Sequence, residues 1–339
     1  MKLSNLFNRA PSVERLTRDD VTRIYQALLH RQPEDPNLGL GQPPVDYVLS
    51  VALSPERNGI LEREFAQAQM SATGLALAKT NVGMMLTYAA DKVIGENLRN
   101  QGSFEEAEIG AAIKLIKSLG KDTALSTFVD VGANIGTHTL WAMRAGFERS
   151  ICVEADASNV KLLKINQILN GIDEQCRVVW AAASDMDGQI VLERSPDNFG
   201  DHRVTSQLDG VDSLYEEGSW QKTSIPSCRL DTVIEGNPGG VSEIGLVWID
   251  TQGHEGHVFS GAPNLLASTI PIVAEFWPYG LMRAGGYQQF RSQIEQSGRK
   301  VYDLKASIQQ GETVSLTVEE MDSMNKRFVG SEHTDLLLL

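Results

Sequence analysis

The chain has 339 residues, 42% of them hydrophobic and 22% charged, and a formal net charge of −14. That composition is globular and excludes wholesale disorder, a collagen repeat and a coiled coil. The acidic surplus argues against a nucleic-acid partner, because phosphate backbones are gripped by clustered Lys and Arg. Cys152, Cys176 and Cys228 cannot all pair and form no C-x-x-C, which fits a reducing compartment. The segment from Met1 to Leu16 lacks the unbroken apolar stretch of a signal peptide. No run approaches the roughly 18 apolar residues of a bilayer span. A soluble, cytoplasmic protein with no membrane span is expected.

Thr17-Arg18-Asp19-Asp20 sets a capping hydroxyl three residues before a carboxylate, and Val21, Ile24, Tyr25, Leu28 and Leu29 follow at helical spacing. Pro33, Pro36, Pro43 and Pro44 break that helix before a second one expected over 45–53. Residues 1–75 read as a small helical N-terminal module. Over about forty residues, from Ile24 through Pro33 to Leu53-Ser54-Pro55-Glu56, the module loosely resembles a short helical domain of unassigned function found beside bacterial glycan-modifying enzymes. Residues 76–120 are expected to form connecting helices or a lid, including a helix from Glu105 to Leu119 that Gly120 ends.

From residue 121 the period changes. Thr127–Val131, Ser150–Glu154 and Arg177–Ala181 read as buried strands separated by helical patterns at Thr137–Ala145 and Ala157–Leu169. Strands joined by helices of that length pair in parallel, which predicts a doubly wound α/β sheet. The alternation resumes at Gly245–Asp250 and Ile270–Phe276 and ends with strands at Lys300–Leu304 and Thr334–Leu339. A stretch of about 186–228, with a strand-like Gln189–Glu193, reads as an insertion able to carry substrate specificity.

The sharpest motif is Val129-Asp130-Val131-Gly132-Ala133-Asn134-Ile135-Gly136-Thr137-His138, a strand, a glycine loop and a helix start. Gly132 lets a ligand lie against the backbone, Gly136 lets helix and strand pack closely, and the helix start offers free N–H donors. A dinucleotide fingerprint needs glycine at 134 and 137, where this chain has Asn134 and Thr137, so pyrophosphate binding is disfavoured. Glu154 ends the next strand, where a carboxylate accepts ribose hydroxyls, and Asp130 is placed to hold an ammonium group. Ribose at one end and an amino-acid head at the other describe S-adenosylmethionine. The plainer alternative is that Asp130 and Glu154 cap helices or face solvent.

With these blocks, Ala181-Ala182-Ala183-Ser184-Asp185 with Gly188, Arg229-Leu230-Asp231-Thr232, Ile249-Asp250-Thr251-Gln252-Gly253-His254-Glu255 with Gly261-Ala262, and Ala274-Glu275 follow in order. Over about residues 88–280 the sequence resembles the FkbM-type family of S-adenosylmethionine-dependent methyltransferases. The resemblance implies a Rossmann-like methyltransferase sheet of seven strands and O-methyl transfer to a hydroxyl of a sugar, glycan or related bacterial natural product. It places Asp130, Gly132, Asn134, Gly136 and Glu154 around the cofactor and Ser184 and Asp185 near its adenine.

Methyl transfer from a sulfonium is an in-line displacement in which positioning dominates, and a base adds roughly 100-fold. Asp250, at the switch point of the sheet, is the first candidate base, with His254 and His202 behind it; Asp250 as a helix cap or cofactor ligand is the alternative. Asn198, Asp201, Arg203, Glu255 and Glu275 are candidate acceptor-binding residues. Glu105 and Glu108 are candidates to reach over the cofactor, and Trp141, Trp180, Trp248 and Trp277 are expected in the core or pocket wall. His254-Glu255-Gly256-His257 falls one residue short of H-E-x-x-H, and no metal is expected. The competing readings are an NAD-linked or nucleotide-sugar modifying enzyme on the same fold, and a non-catalytic glycan-assembly partner.

Overall fold

In the computed structural model the chain divides into two units, residues 1–76 and 77–339. The structure describes residues 16–29, 31–35, 37–38, 40, 47, 50–51, 54–57, 74–121, 124–205 and 214–339. In the first unit a helix spans Arg18–Leu29, and Thr17 and Asp20 cap it reciprocally, with Asp20 N donating to Thr17 Oγ1 at 3.3 Å and Thr17 N to Asp20 Oδ2 at 3.0 Å. Its buried stripe of Val21, Ile24, Tyr25, Leu28 and Leu29 packs with Leu16, Tyr47 and Val51. Of the helix expected over 45–53, only Tyr47, Ser50 and Val51 are described, each helical; the rest lies outside the described residues.

A hairpin, β1 (Leu75–Lys79) and β2 (Met84–Tyr88), starts two residues before the boundary and runs into the second unit, ahead of helices Ile94–Gln101 and Glu106–Ser118. The Leu/Ala-rich β1 carries weak strand propensity, which is why its sequence reads as helix. Asn166 acts as a missing strand partner for β2: its Oδ1 accepts from Leu86 N at 2.7 Å while its Nδ2 donates to Leu86 O at 3.0 Å. The main sheet is built from β3 (Thr127–Val131), β4 (Arg149–Glu154) and β5 (Cys176–Trp180), then β10 (Ile244–Ile249), β11 (Ile272–Phe276), β12 (Val301–Asp303), β13 (Ser315–Leu316) and β14 (Thr334–Leu338). Between them in sequence, β6 (Ala182–Ser184), β7 (Gly188–Arg194), β8 (Arg203–Val204) and β9 (Gln221–Arg229) form a separate four-stranded sheet.

The main sheet runs in the order β13-β12-β14-β11-β10-β3-β4-β5. From β11 to β5 every pairing is parallel, and β14 enters antiparallel to both β11 and β12. This is the doubly wound, Rossmann-like architecture, with eight strands in place of the seven expected: β13 is two residues long, too short to show a period in sequence. Strands β3, β10 and β11 are buried along their whole length, as a parallel sheet covered on both faces requires. Strand order reverses between β3 and β10, so the carboxyl ends of these two strands flank the crevice where such sheets bind ligands. Trp141, Trp248 and Trp277 are buried, but Trp180 is 48% exposed. It stands at the end of β5, the sheet edge, where no neighbouring strand covers it.

Candidate active site

After β3 the chain turns so tightly that a Cβ on Gly132 would lie 1.8 Å from the carbonyl oxygen of Asp250; with φ at +87°, glycine is required there. Gly132 N and Ala133 N both donate to Val153 O, tying the loop to β4. Asn134 takes a left-handed φ of 50° and donates its backbone N–H to Glu154 Oε2 at 2.8 Å, while Asp156 N donates to Glu154 Oε1 at 2.7 Å. Burial pushes the Glu154 carboxyl up to about 7 despite these bonds. Gly136, at φ +94°, starts the helix Thr137–Ala145 against Leu163.

Over this loop lies a narrow slot lined by Val153, Glu154, Ala155, Ala181–Ala183, Leu192 and Val204. The insertion is strapped across it. Phe199 stacks on Tyr88 at 4.4 Å, and its carbonyl accepts from Asn134 Nδ2 at 3.2 Å and Asn159 Nδ2 at 3.1 Å. Asn159 Oδ1 and His202 Nε2 are buried in the lining without a hydrogen-bond partner. A largely apolar slot lined by a carboxylate and two unmet polar atoms suits a nucleoside with a sugar hydroxyl pair and an edge of ring nitrogens. These residues fit S-adenosylmethionine.

A cavity of about 280 Å³ adjoins the slot and shares Gly132, Asn134, Gly200, Asp250 and Gln252 with it. Asp250, just past β10, accepts from Gln252 Nε2 at 2.6 Å, and Gln252 Nε2 also reaches Glu275 Oε2 on β11 at 3.4 Å. Burial, then the charge of Glu105, pushes Asp250 up, and burial with Asp250 and Glu255 pushes Glu275 well up. Also lining this cavity, His138 Nε2 lies 3.4 Å from Glu105 Oε2, an ion pair whose geometry misses a hydrogen bond. Burial lowers this imidazole, but the Glu105, Asp130 and Asp250 carboxylates outweigh it and lift His138 to about 9. Arg203, 1% exposed, forks onto Asp201 at 2.6 Å through Nε and through Nη2 and reaches Glu217 at 2.5 Å.

The fold gathers Gly132, Asn134, Glu154, His202, His254 and Asp250 on the slot, and Asn198, Asp201, Arg203, Asp250 and Glu275 on the cavity. Other expected residues turn elsewhere. Asp130 is buried under the loop, accepting from Thr139 Oγ1 at 2.5 Å, and lines neither space. Ser184 bonds His254 Nε2 at 2.9 Å within the protein and Asp185 is exposed; the small side chains of Ala181–Ala183 form the wall instead. Glu255 is fully buried, accepting from Thr251 N, Thr251 Oγ1 and Gly253 N, and braces the loop after β10 rather than facing an acceptor. His202 accepts the Ser195 N–H at Nδ1 and is pushed by burial down to about 4, so its neutral ring carries the proton on Nε2 and points a donor into the slot. A ring in that state is no proton acceptor there, which removes it from the candidate bases. His254, with Nε2 engaged by Ser184, is pushed well down by burial and stays neutral. Asn159, Gln252 and His138 escape the sequence reading, although Gln252 and His138 lie within its motifs.

A strand, glycine loop and helix with an acid at the tip of the adjoining strand, on this sheet order, make the nucleoside-binding crevice of a doubly wound α/β enzyme. The Methyltransferase FkbM domain model matches residues 130–327, and the chain belongs to that family of S-adenosylmethionine-dependent methyltransferases. No curated protein matches the chain. Among solved structures, an O-methyltransferase from Bacillus cereus in complex with SAH is 12% identical, covering 87% of this chain and 96% of that one at a TM-score of 0.38. A putative O-methyltransferase from Klebsiella pneumoniae is 12% identical, covering 82% and 99% at 0.39. Geranyl diphosphate C-methyltransferase from Streptomyces coelicolor A3(2) is 11% identical, covering 84% and 98% at 0.34. None of the described helices is long and apolar enough to cross a membrane.

Proposed function

We propose that the protein transfers a methyl group to a hydroxyl oxygen of a sugar, glycan or similar polyol held in the second cavity, with Asp250 as the general base. The observation that carries this reading is that Asp250 is among the residues lining both slot and cavity. Glu154 accepts the ribose hydroxyls of the donor, Ala181–Ala183, Leu192 and Val204 wall its adenine, and Gly132 and Asn134 cradle its amino-acid end. When bound, S-adenosylmethionine supplies an electrophilic methyl carbon on a sulfonium, whose sulfur keeps the C–S electron pair as the methyl leaves.

The protein's own contribution is placement and proton removal. Asp250 takes the hydroxyl proton as the new C–O bond forms, and its raised pKa makes it a stronger base than an exposed aspartate. Gln252, donating to Asp250 Oδ1, fixes the carboxyl's orientation. The strap through Phe199 keeps water from the slot.

Labelled methyl transfer to fractionated bacterial glycans, read by mass spectrometry, tests the reading directly. Asp250→Asn should lower kcat by about 100-fold or more while S-adenosylhomocysteine affinity stays within a few-fold. Undiminished turnover in that variant would remove Asp250 as the base. Methyl groups found only on nitrogen or carbon would remove O-methylation itself.

A further inference from the structure

The strap over the slot fixes the hydrogen-bonding state of two side chains beside it. Asn159, 2% exposed, donates from Nδ2 to Phe199 O at 3.1 Å. A carbonyl only accepts, so the amide nitrogen is the atom that faces it, and Oδ1 is left over as an acceptor. His202 accepts the Ser195 N–H at Nδ1 at 3.1 Å. A backbone N–H only donates, so Nδ1 carries the lone pair and Nε2 the hydrogen. Asn159 Oδ1 and His202 Nε2 are both buried without a partner, and both residues line the slot. Phe199 links them: its carbonyl holds Asn159, and its ring centroid lies 6.2 Å from that of His202.

One free acceptor and one free donor are therefore held out of water, a cost that a ligand offering the reverse pair removes. A third unmet lining atom, His254 Nδ1, defines no such pattern, because its Nε2 meets the Ser184 hydroxyl, which donates or accepts equally well. Adenine offers the reverse pair on either side of its exocyclic amino group, where the amine donates and the neighbouring ring nitrogen accepts. Hypoxanthine, the same ring with a carbonyl in place of the amine, turns an acceptor toward Asn159 Oδ1 and leaves two lone pairs facing each other.

Resting on the placement of the donor in the slot with its ribose at Glu154, we propose that Asn159 and His202 select the nucleobase of the methyl donor. Asn159 Oδ1 accepts from the amino group of adenine, His202 Nε2 donates to the ring nitrogen beside it, and a donor whose base carries a carbonyl at that position is excluded. The contacts with Phe199 O and Ser195 N make this recognition depend on the strap, because they set which atom of each side chain is free.

The test is calorimetric titration with S-adenosylhomocysteine, S-inosylhomocysteine, and the 1-deaza and 7-deaza analogues of S-adenosylhomocysteine. The adenosyl compound should bind about 100-fold or more tighter than the inosyl compound, and one deaza analogue should bind about tenfold weaker than its parent. His202→Asn keeps an oxygen able to accept the Ser195 N–H and has no counterpart of Nε2. It should lose about tenfold in affinity for S-adenosylhomocysteine and nothing for that deaza analogue, whereas a damaged fold would weaken both alike. Adenosyl and inosyl affinities within about threefold of each other, full affinity for both deaza analogues, or equal losses for parent and analogue in His202→Asn would each overturn the proposal. The two readings fail separately. Lost discrimination between the bases, with S-adenosylhomocysteine still weakened by Glu154→Gln, defeats the base assignment alone; intact discrimination with Glu154→Gln without effect defeats the ribose placement alone.

Discussion

The slot and the cavity beside it are built by opposite means. The slot's base comes from near stretches, the loop after β3 and the ends of β4 and β5, closed over by the insertion, and the loop's polar contacts are mostly backbone N–H groups held by Glu154 and Val153 O. The cavity comes from segments far apart in the chain, and its character rests on charged side chains meeting across the insertion and the main sheet. Backbone cradles tolerate little change in shape. Charge networks tolerate a change of shape better than the loss of one partner.

The largest effect should come from the cavity side. Arg203→Met leaves Asp201 and Glu217 buried without their shared cation, and chemical denaturation should show a loss of about 3–5 kcal/mol. A loss under about 1 kcal/mol would mean that the aromatic enclosure, not the charge, holds this region. On the slot side, Gly132→Ala forces a Cβ into the Asp250 carbonyl and should cost about 3 kcal/mol and abolish S-adenosylhomocysteine binding by calorimetry. Normal affinity there would show that the loop is more pliable than its contacts indicate.

A smaller change is expected from Glu154→Gln, which keeps the shape but leaves a single acceptor oxygen for the two N–H groups of Asn134 and Asp156. S-adenosylhomocysteine affinity should fall about tenfold, with kcat at saturating donor little altered. The smallest effect is a pH slope. Glu154 and Glu255, both pushed up to about 7 by burial, hold protons more tightly folded than unfolded. Their contribution to stability is therefore complete below the ordinary carboxylate pKa of 4.5 and lost as pH rises through about 7. Melting temperature should fall between about pH 6.5 and pH 8, above the range in which the depressed His202 and His254 act in the opposite sense, and Glu255→Gln should flatten the fall; a rise over that interval would contradict the burial assigned to these acids.

Much of the slot was legible beforehand. The bonds from Gly132 N to Val153 O and from Asn134 N and Asp156 N to Glu154 all fall within the strand-loop-helix-strand motif, although the Asp250 carbonyl that makes glycine necessary at 132 comes from β10's end. Ser184 and Glu255 belong to equally local motifs, but their orientation was not legible, because whether a side chain faces a cavity or the protein interior depends on what packs above it. His202 was misjudged for a related reason: its proton is placed by Ser195 N–H, a contact that needs the turn of the insertion to form. The two-residue β13 and the alanine-rich β1 were too short or too weakly patterned to register.

By itself the sequence determined the alternation of strands and helices, the glycine at the sharpest turn and the acid at the neighbouring strand tip, since periodicity and backbone conformation are encoded within short windows. Only the tertiary structure decided which carboxylates crowd together, which cation is already taken and which imidazole nitrogen keeps its proton. Those properties follow from desolvation and pairing between segments distant in sequence, as when Asn134 meets Phe199 or Gln252 bridges Asp250 and Glu275.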